Sequence, residues 1–337
     1  MPDHALHTPI PVVDLGILRR NLATMAATHA GSRLRPHVKA HKCTSIAREQ
    51  VRAGHSSFTC ATVREMTVMA RSFQDVDLLL ANETIDTARL AELAALQDRA
   101  RITVAVDSPE TIHAAAAAGI ADVLIDVNVG LPRCGVSPDA AGKLADAARS
   151  RGLTVRGVMG YEGHLMMVSD RGEKRSKVHE AMHQLALAHR DVGGDIVSAG
   201  GTGTWDMFEG TIVNEVQAGS YALMDSQYAQ LGIPFAQALW IVGTVISVGP
   251  SWAVADVGLK SLGMDHGNPA IDGHSVWFCS DEHVTFSPAG DAAMPRVGDQ
   301  VRIVPAHIAP TLAMHERILV LDNDTIVDEW PVDMRGW

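Results

Sequence analysis

Continuous apolar runs recur along the first two thirds of the chain, and most are too uniformly apolar to be strands with one face in water. Strands that are apolar on both faces are typical of parallel sheets covered by helices. The segments between the runs mix apolar and charged residues at helical spacing, and several end in glycine, a common helix stop. The pattern predicts eight strands, over residues 33–40, 57–63, 76–82, 102–108, 121–128, 155–164, 195–201 and 214–225.

Eight strand–helix units in succession predict a (β/α)8 barrel of the TIM type. The alternative is a doubly wound open sheet, which is less favoured because no GxGxxG motif follows the first strand. After residue 236 helical segments become rare and strand-like runs alternate with turns. We therefore expect a barrel over residues 1–235 and a β-rich C-terminal domain over 236–337. The N-terminal dozen residues are expected to pack on the second domain or on the edge of the barrel.

Composition narrows the classes of function. The formal net charge of −11 and the scattered basic residues argue against nucleic-acid binding. The hydrophobic fraction of 47% is that of a soluble globular protein, and no apolar run is long enough to span a membrane. The N-terminus lacks the pattern of a signal peptide, so we expect a cytoplasmic location. The four cysteines show no CxxC pairing and are expected to be free thiols.

The first predicted strand carries an unusual run of cations, RPHVKAHK, from Arg35 to Lys42. In an extended strand Arg35, His37, Lys39 and His41 would share one face. A cationic face is rare on a covered strand unless it meets solvent, an anion or a cofactor. In TIM-type barrels the active site lies at the carboxyl ends of the strands, where this sequence places Lys39.

Two glycine-rich runs follow the last two predicted barrel strands. The first is SAGGTGTWD, Ser198 to Asp206, and the second is AGSY, Ala218 to Tyr221. Glycines at a strand end let several backbone N–H groups turn toward one point, which suits a phosphate. Phosphate sites after strands seven and eight recur in these barrels. Together with a lysine after strand one, they predict a site for pyridoxal 5′-phosphate (PLP).

Several motifs in one order resemble those of the D-threonine aldolase and D-serine dehydratase group of PLP enzymes, which are fold-type III proteins with an alanine racemase-like barrel. The motifs are RPHVKAHK, GLPRCGV, GYEGH, SAGGTGT, EVQAGSYALMD and DVGLKSL followed by DHG. The resemblance implies that Lys39 holds PLP covalently and that Lys42 does not. It further implies a homodimer and cofactor contacts from Arg133, Tyr161, Gly201, Thr202, Gly203, Gly219, Ser220 and Tyr221.

One position departs from the family pattern. Members of this group usually bind a divalent metal through a C-terminal H-x-C or H-x-D motif followed by Pro-Thr. Here the run is PAHIAPT, in which His307 is present but Ala309 occupies the second ligand position. One histidine makes a poor site, because catalytic metals normally have two or three protein ligands. A conventional metal site is therefore not expected, although Asp281, His283 or His315 would be possible substitutes.

The leading hypothesis for the activity is a PLP-dependent aldolase. It would cleave a D-configured β-hydroxy amino acid to glycine and an aldehyde without the usual metal, with His307 as the base for the β-hydroxyl. The alternatives are β-elimination of the dehydratase type, racemisation or epimerisation, a PLP-binding protein that serves cofactor homeostasis, and a barrel enzyme without PLP. A missing metal ligand disfavours elimination, because hydroxide is a poor leaving group without a Lewis acid.

Overall fold

The structure is a computed structural model that describes residues 7–337. Within that range there are sixteen strands and nine α-helices. The strands are β1 (Ile10–Asp14), β2 (Ser57–Cys60), β3 (Asp77–Leu80), β4 (Arg101–Val106), β5 (Asp122–Asp126), β6 (Thr154–Gly160), β7 (Ile196–Ala199), β8 (Glu215–Val216), β9 (Leu239–Val248), β10 (Ala253–Ala255), β11 (Ala270–Ile271), β12 (His274–Cys279), β13 (Val284–Pro288), β14 (Gln300–Val304), β15 (Arg317–Asp322) and β16 (Thr325–Pro331).

The helices are α1 (Leu15–Thr28), α2 (Thr44–Arg52), α3 (Val63–Ser72), α4 (Thr87–Ala94), α5 (Pro109–Ala117), α6 (Ala141–Ser150), α7 (Arg171–Val192), α8 (Ser226–Ala229) and α9 (Ile308–Ala313). No helix within residues 7–337 is long and apolar enough to cross a membrane. The chain forms two compact units. One unit contains residues 25–39 and 50–219, and the other contains the described residues up to Thr24 together with 40–49 and 220–336.

The first unit contains seven parallel strands in the order β2-β3-β4-β5-β6-β7-β8. The segment between β8 and β2 takes the eighth place as an irregular strand, with isolated parallel bridges from Leu34 to Val216 and from His37 to Thr59. The backbone N–H of His37 donates to Ala218, and Pro36 accepts from the N–H of Thr59. The predicted alanine racemase-like barrel is confirmed.

The first predicted strand is shorter than the sequence pattern indicates. Pro36 has no N–H to give to β2, so a full ladder cannot form on that side. The chain then leaves the extended conformation, and Val38–Ala40 form a 3-10 turn. Lys39 therefore lies on a turn after the strand and not within it, and the predicted alternation of Arg35, His37, Lys39 and His41 stops at His37.

The barrel interior is layered. At the amino-terminal end of the strands, Arg35 donates to Glu215 and Asp77. Arg156 donates to the same Asp77 carboxylate. Above this ionic layer lies an apolar cluster of one residue from each of β3 to β6, namely Leu79, Ala105, Leu124 and Met159. Since side chains alternate along a strand, this stacking leaves the next positions, at the carboxyl ends, for chemistry.

The second unit contains a nine-stranded sheet in the order β10-β13-β12-β11-β14-β9-β1-β15-β16. A further pairing of β10 with β9 closes six of these strands into an antiparallel ring. Its core contains Ile241, Val245, Val257, Phe286 and Ile303. The predicted β-rich fold of the C-terminal region is confirmed. The strand β1, near the N-terminus, is part of the same sheet. The boundary at residue 235 stays a prediction.

Candidate active site

Lys39, Arg133 and Tyr161 lie together at the carboxyl end of the barrel. The Nζ atom of Lys39 lies 5.8 Å from the centroid of the Tyr161 ring, and the guanidinium carbon of Arg133 lies 5.3 Å from it. Lys39 and Arg133 are exposed, whereas Tyr161 is partly buried. Burial raises the pKa of Tyr161 to about 12, so its hydroxyl stays protonated near neutral pH. The structure thus brings together three of the residues predicted from separate motifs.

The loop that carries Arg133 is fixed by side chains at the ends of β4 and β5. Asn128 donates from Nδ2 to the Leu131 carbonyl and accepts from the N–H of Gly130. Asp107 accepts from the N–H of Gly135. A Cβ on Gly135 would lie 2.5 Å from the backbone N of Asn128, so only glycine fits there. Asn128 and Asp107 therefore position the loop.

The glycine-rich run after β7 is held by a buried carboxylate. Glu162 accepts from the N–H of Gly200 at 3.2 Å and from the Thr204 hydroxyl at 2.6 Å. The same hydroxyl accepts from the N–H of Gly201 at 3.2 Å. Burial raises the pKa of Glu162, while these hydrogen bonds oppose the shift. Glu162 was not predicted as a site residue, although it stands inside the quoted GYEGH motif.

The glycines of this run also allow close packing on the segment after Tyr161. A Cβ on Gly203 would lie 2.3 Å from the Met166 carbonyl oxygen, and one on Gly201 would lie 2.9 Å from the Met166 sulfur. The amine of Lys174 donates to the carbonyls of Met166 and Gly203. Burial lowers the pKa of Lys174. Thr202 is buried in the same 3-10 turn, so the predicted phosphate-binding residues form one compact loop.

The second predicted phosphate run is divided between the two units. Gly219 is the last residue of the barrel segment and is buried. Ser220 opens a 3-10 turn in the other unit. The ring of Tyr221 is fully buried there, 5.6 Å from the ring centroid of Phe235. The ring of Tyr221 therefore has a packing role that the sequence did not show.

A carboxyl pair at the barrel rim was missed by the sequence analysis. Asp126, at the end of β5, is buried, and its carboxyl group interacts electrostatically with Glu83, which follows β3. Burial and the charge of Glu83 raise the pKa of Asp126 well above its usual range. A like charge beside a buried carboxyl group favours the protonated form of that group. The pair lies near Arg133, whose charge partly offsets the shift.

In the second unit His307 has two close neighbours, Asp265 and His266. The Nδ1 of His307 lies 2.8 Å from the Asp265 carboxylate, and the Nε2 of His266 lies 3.6 Å from it. The two imidazole rings are stacked, with centroids 4.0 Å apart and planes 7° apart. Burial lowers the pKa of His307, although the hydrogen bond to Asp265 opposes the shift.

The three residues that the sequence suggested as substitutes for the missing metal ligand have other partners or lie elsewhere in this unit. His315 is hydrogen-bonded to the carbonyl of Ser261. Asp281 is paired with Lys260, and His283 is exposed. Ala309 lies in α9, one residue after its start. In the sequence Asp265 and His266 stand out only as part of the DHG motif, because His307 lies 42 residues after Asp265 and leaves no local signal.

Comparisons with known proteins agree with this architecture. The family model described as the alanine racemase N-terminal domain matches residues 13–227, more than half of the chain. The chain belongs to the family defined by this alanine racemase N-terminal domain. The model of a putative serine dehydratase domain matches this family member over residues 238–321. The matched regions are those of the barrel and of the β-rich C-terminal region.

Relatives of this family member match along nearly their whole length. The D-threonine aldolase of an Arthrobacter species is 33% identical over 98% of the chain and 93% of that protein. The 3-hydroxy-D-aspartate aldolase of Paracoccus denitrificans is 32% identical over 100% of the chain and 94% of that protein. The D-threo-3-hydroxyaspartate dehydratase of Delftia sp. is 29% identical over 98% of both chains. The predicted resemblance to this group is confirmed.

Solved structures show the same relationship. The crystal structure of D-threonine aldolase from Filomicrobium marinum superposes with a TM-score of 0.91, at 35% identity, over 98% of this chain and 95% of that chain. The alanine racemase of Bacillus anthracis has a TM-score of 0.72 at 13% identity, over 97% and 98% of the two chains, and shares the fold alone.

Proposed function

We propose that this protein is a PLP-dependent carbon–carbon lyase that cleaves a D-configured β-hydroxy amino acid to glycine and an aldehyde. The observation that carries the proposal is the exposed amine of Lys39 beside the ring of Tyr161, at the motif position that the aldolase group uses for its cofactor lysine. Full-length similarity to relatives named as aldolases supports the choice of reaction. The named substrates of those relatives suggest D-threonine and 3-hydroxy-D-aspartate as the first compounds to assay.

The residues present fit PLP. A primary amine is needed to bind its aldehyde, and Lys39 supplies one in solvent contact at the barrel mouth. A phosphate needs backbone N–H groups that converge from one short turn. Gly201, Thr202 and Gly203 lie at the start of such a turn, packed next to Tyr161 and Met166. When bound, PLP supplies an electron sink for the carbanion left by bond cleavage.

The protein side chains would then position and hold protons. Arg133 and Tyr161 would lie near the cofactor ring, and the Tyr161 hydroxyl is protonated near neutral pH. Glu162 keeps the phosphate loop in one conformation through Gly200 and Thr204. For the protein without a bound metal ion, we assign His307 as the base that removes the proton of the substrate β-hydroxyl. If His307→Ala leaves aldehyde formation at the wild-type rate, that assignment is wrong.

Product analysis tests the reaction class. Purified protein loaded with PLP is incubated with D-threonine and, separately, with 3-hydroxy-D-aspartate. The proposal predicts equal amounts of glycine and aldehyde. A keto acid with ammonia would indicate the dehydratase alternative, which the Delftia relative represents. Inverted stereochemistry alone would indicate a racemase or epimerase, and PLP binding without turnover of any D-amino acid would support a cofactor-homeostasis role. We also expect a homodimer, which light scattering of the purified protein would test.

A further inference from the structure

We propose that Asp265, His266 and His307 form a binding site for a divalent transition-metal ion. Each of the three side chains offers one ligand atom, and these atoms all lie within 4.8 Å of one another. Asp265 and His266 are distant in sequence from Ala309. These two side chains would supply the coordination that the methyl group of Ala309 cannot.

The distances between the ligand atoms are close to those that a small ion requires. With bonds of about 2.0–2.1 Å, two ligands of a tetrahedral ion lie roughly 3.4 Å apart, and two neighbouring ligands of an octahedral ion lie roughly 2.9 Å apart. The Asp265 oxygen lies 2.8 Å from Nδ1 of His307 and 3.6 Å from Nε2 of His266. These two distances therefore lie on either side of the spacing that a small ion requires.

One rotation is required. Two parallel rings with centroids 4.0 Å apart cannot both point an in-plane lone pair at a single ion. The His266 ring must turn, and its side chain is 32% exposed, so it has solvent on one side. His307, at 25% exposure, is the less mobile of the two. We therefore expect the ion to be held first by His307 and Asp265, with His266 completing the set.

The backbone around the three residues is held together by contacts that do not involve their side chains. Gly263 forms an antiparallel bridge with His307. The N–H of Gly263 donates to the Thr311 hydroxyl, which in turn donates to the carbonyl of His307. A Cβ on Gly263 would lie 2.3 Å from Cγ of Pro310. The segment before Asp265 is thus docked on the start of α9, which keeps the ligands of both segments near one another.

Charge and ligand chemistry indicate which ions would bind. Asp225 is fully buried and accepts a hydrogen bond from the N–H of Ile308. Its carboxyl group also interacts electrostatically with His307 and His266. A second carboxyl group near the two imidazoles favours binding of a cation there. Two imidazole nitrogens and one carboxylate oxygen suit Zn²⁺, Co²⁺ or Mn²⁺, whereas Mg²⁺ and Ca²⁺ prefer oxygen ligands. Three protein ligands also leave positions open for water or a substrate oxygen.

With an ion bound His307 would be a ligand, so the direct base role that we assign to it applies to the metal-free protein.

The test is a binding measurement that does not depend on turnover. Chelator-treated holoenzyme is titrated with Zn²⁺ in a calorimeter and with Co²⁺ under visible absorption. We expect one ion per chain, a Co²⁺ spectrum typical of nitrogen and oxygen ligands, and no comparable binding of Mg²⁺. Each of His266→Ala, Asp265→Asn and His307→Ala should weaken binding by roughly ten-fold or more. His283→Ala, an exposed histidine in the same unit, should not change it.

Circular dichroism of each variant separates loss of the site from loss of the fold. Absence of Zn²⁺ and Co²⁺ binding by the folded wild-type protein would overturn the proposal. Binding that is unchanged in both folded His266→Ala and Asp265→Asn would also overturn it, because the ion would then lie elsewhere. Neither result affects the assignment of the reaction, which rests on product analysis.

Discussion

The carboxylate of Glu162 accepts a hydrogen bond of 2.6 Å from the Thr204 hydroxyl, and so joins the segment after β6 to the glycine loop after β7. Both residues are completely buried. The carboxylate also accepts from the N–H of Gly200. The Glu162 side chain therefore links the segment that follows Tyr161 to the loop that we assign to the PLP phosphate.

Replacing Glu162 with Gln should weaken both the fold and cofactor binding. The amide offers one acceptor where the carboxylate offers two, so either Gly200 or Thr204 loses its partner. The loss of one buried hydrogen bond costs about 1–3 kcal/mol. We expect a lower unfolding midpoint in urea and a several-fold higher Kd for PLP. Glu173→Gln, on the exposed face of α7, is the matched control and should change neither.

Lys174 should support the loop without being the cofactor lysine. Its amine is buried and bonded to the carbonyls of Met166 and Gly203. Lys174→Met leaves two buried carbonyls without this donor, so we expect a lower melting temperature and weaker PLP binding. The variant should still form a borohydride-stable adduct at Lys39. Lys177→Met, one helical turn away and exposed, should behave as wild type. Loss of the Lys39 adduct in folded Lys174→Met would contradict this division of roles.

The ionic layer of the barrel makes stability depend on pH. Burial opposes ionisation of Asp77, but the hydrogen bonds and charges of Arg156 and Arg35 outweigh it and hold the pKa of Asp77 well below its usual range. A carboxyl with a lowered pKa stabilises the fold above its unfolded pKa of about 4, and the contribution is lost as the pH falls below that value. Acid should therefore weaken the wild-type protein through this group.

Asp77→Asn should remove that contribution. Breaking a buried ion pair from one side costs about 3 kcal/mol, since Arg35 keeps its charge with only Glu215 as a carboxylate partner. Urea midpoints at neutral pH should be lower in the variant, and the difference from wild type should narrow as the pH falls below about 4. Asp146→Asn, which affects only an exposed pair with Arg149, is the control. A difference in urea midpoint between wild type and Asp77→Asn that stays constant with pH would contradict the role assigned to the Asp77 carboxylate.

Most strands of the barrel were predictable because they are buried on both faces and therefore mainly apolar. The first was misjudged because the alternation in RPHVKAHK outweighed Pro36, which removes an N–H from the ladder and lets the chain turn at Val38. The change helps the site, because a turn places Lys39 in solvent next to Tyr161. Proline in a predicted covered strand was the available signal.

The supporting residues of the site were much harder to predict. Glu162 is adjacent to Tyr161, yet its partners come from a loop about 40 residues later. Asp265 and His266 meet His307 only because Gly263 pairs with His307 across the chain. Short motifs point to candidate cofactor residues, because the chemistry of those residues is distinctive. Residues that hold those side chains in place depend on contacts that only the fold creates.

The most direct test of the central claim is to identify the lysine that carries the cofactor. Purified protein is reduced with borohydride, digested and analysed by mass spectrometry, alongside Lys39→Arg and Lys42→Arg. We predict a PLP adduct on Lys39 in the wild-type protein and in Lys42→Arg, and none in folded Lys39→Arg. An adduct on Lys42, Lys174 or another lysine, or a wild-type protein that takes up no PLP, would contradict the account.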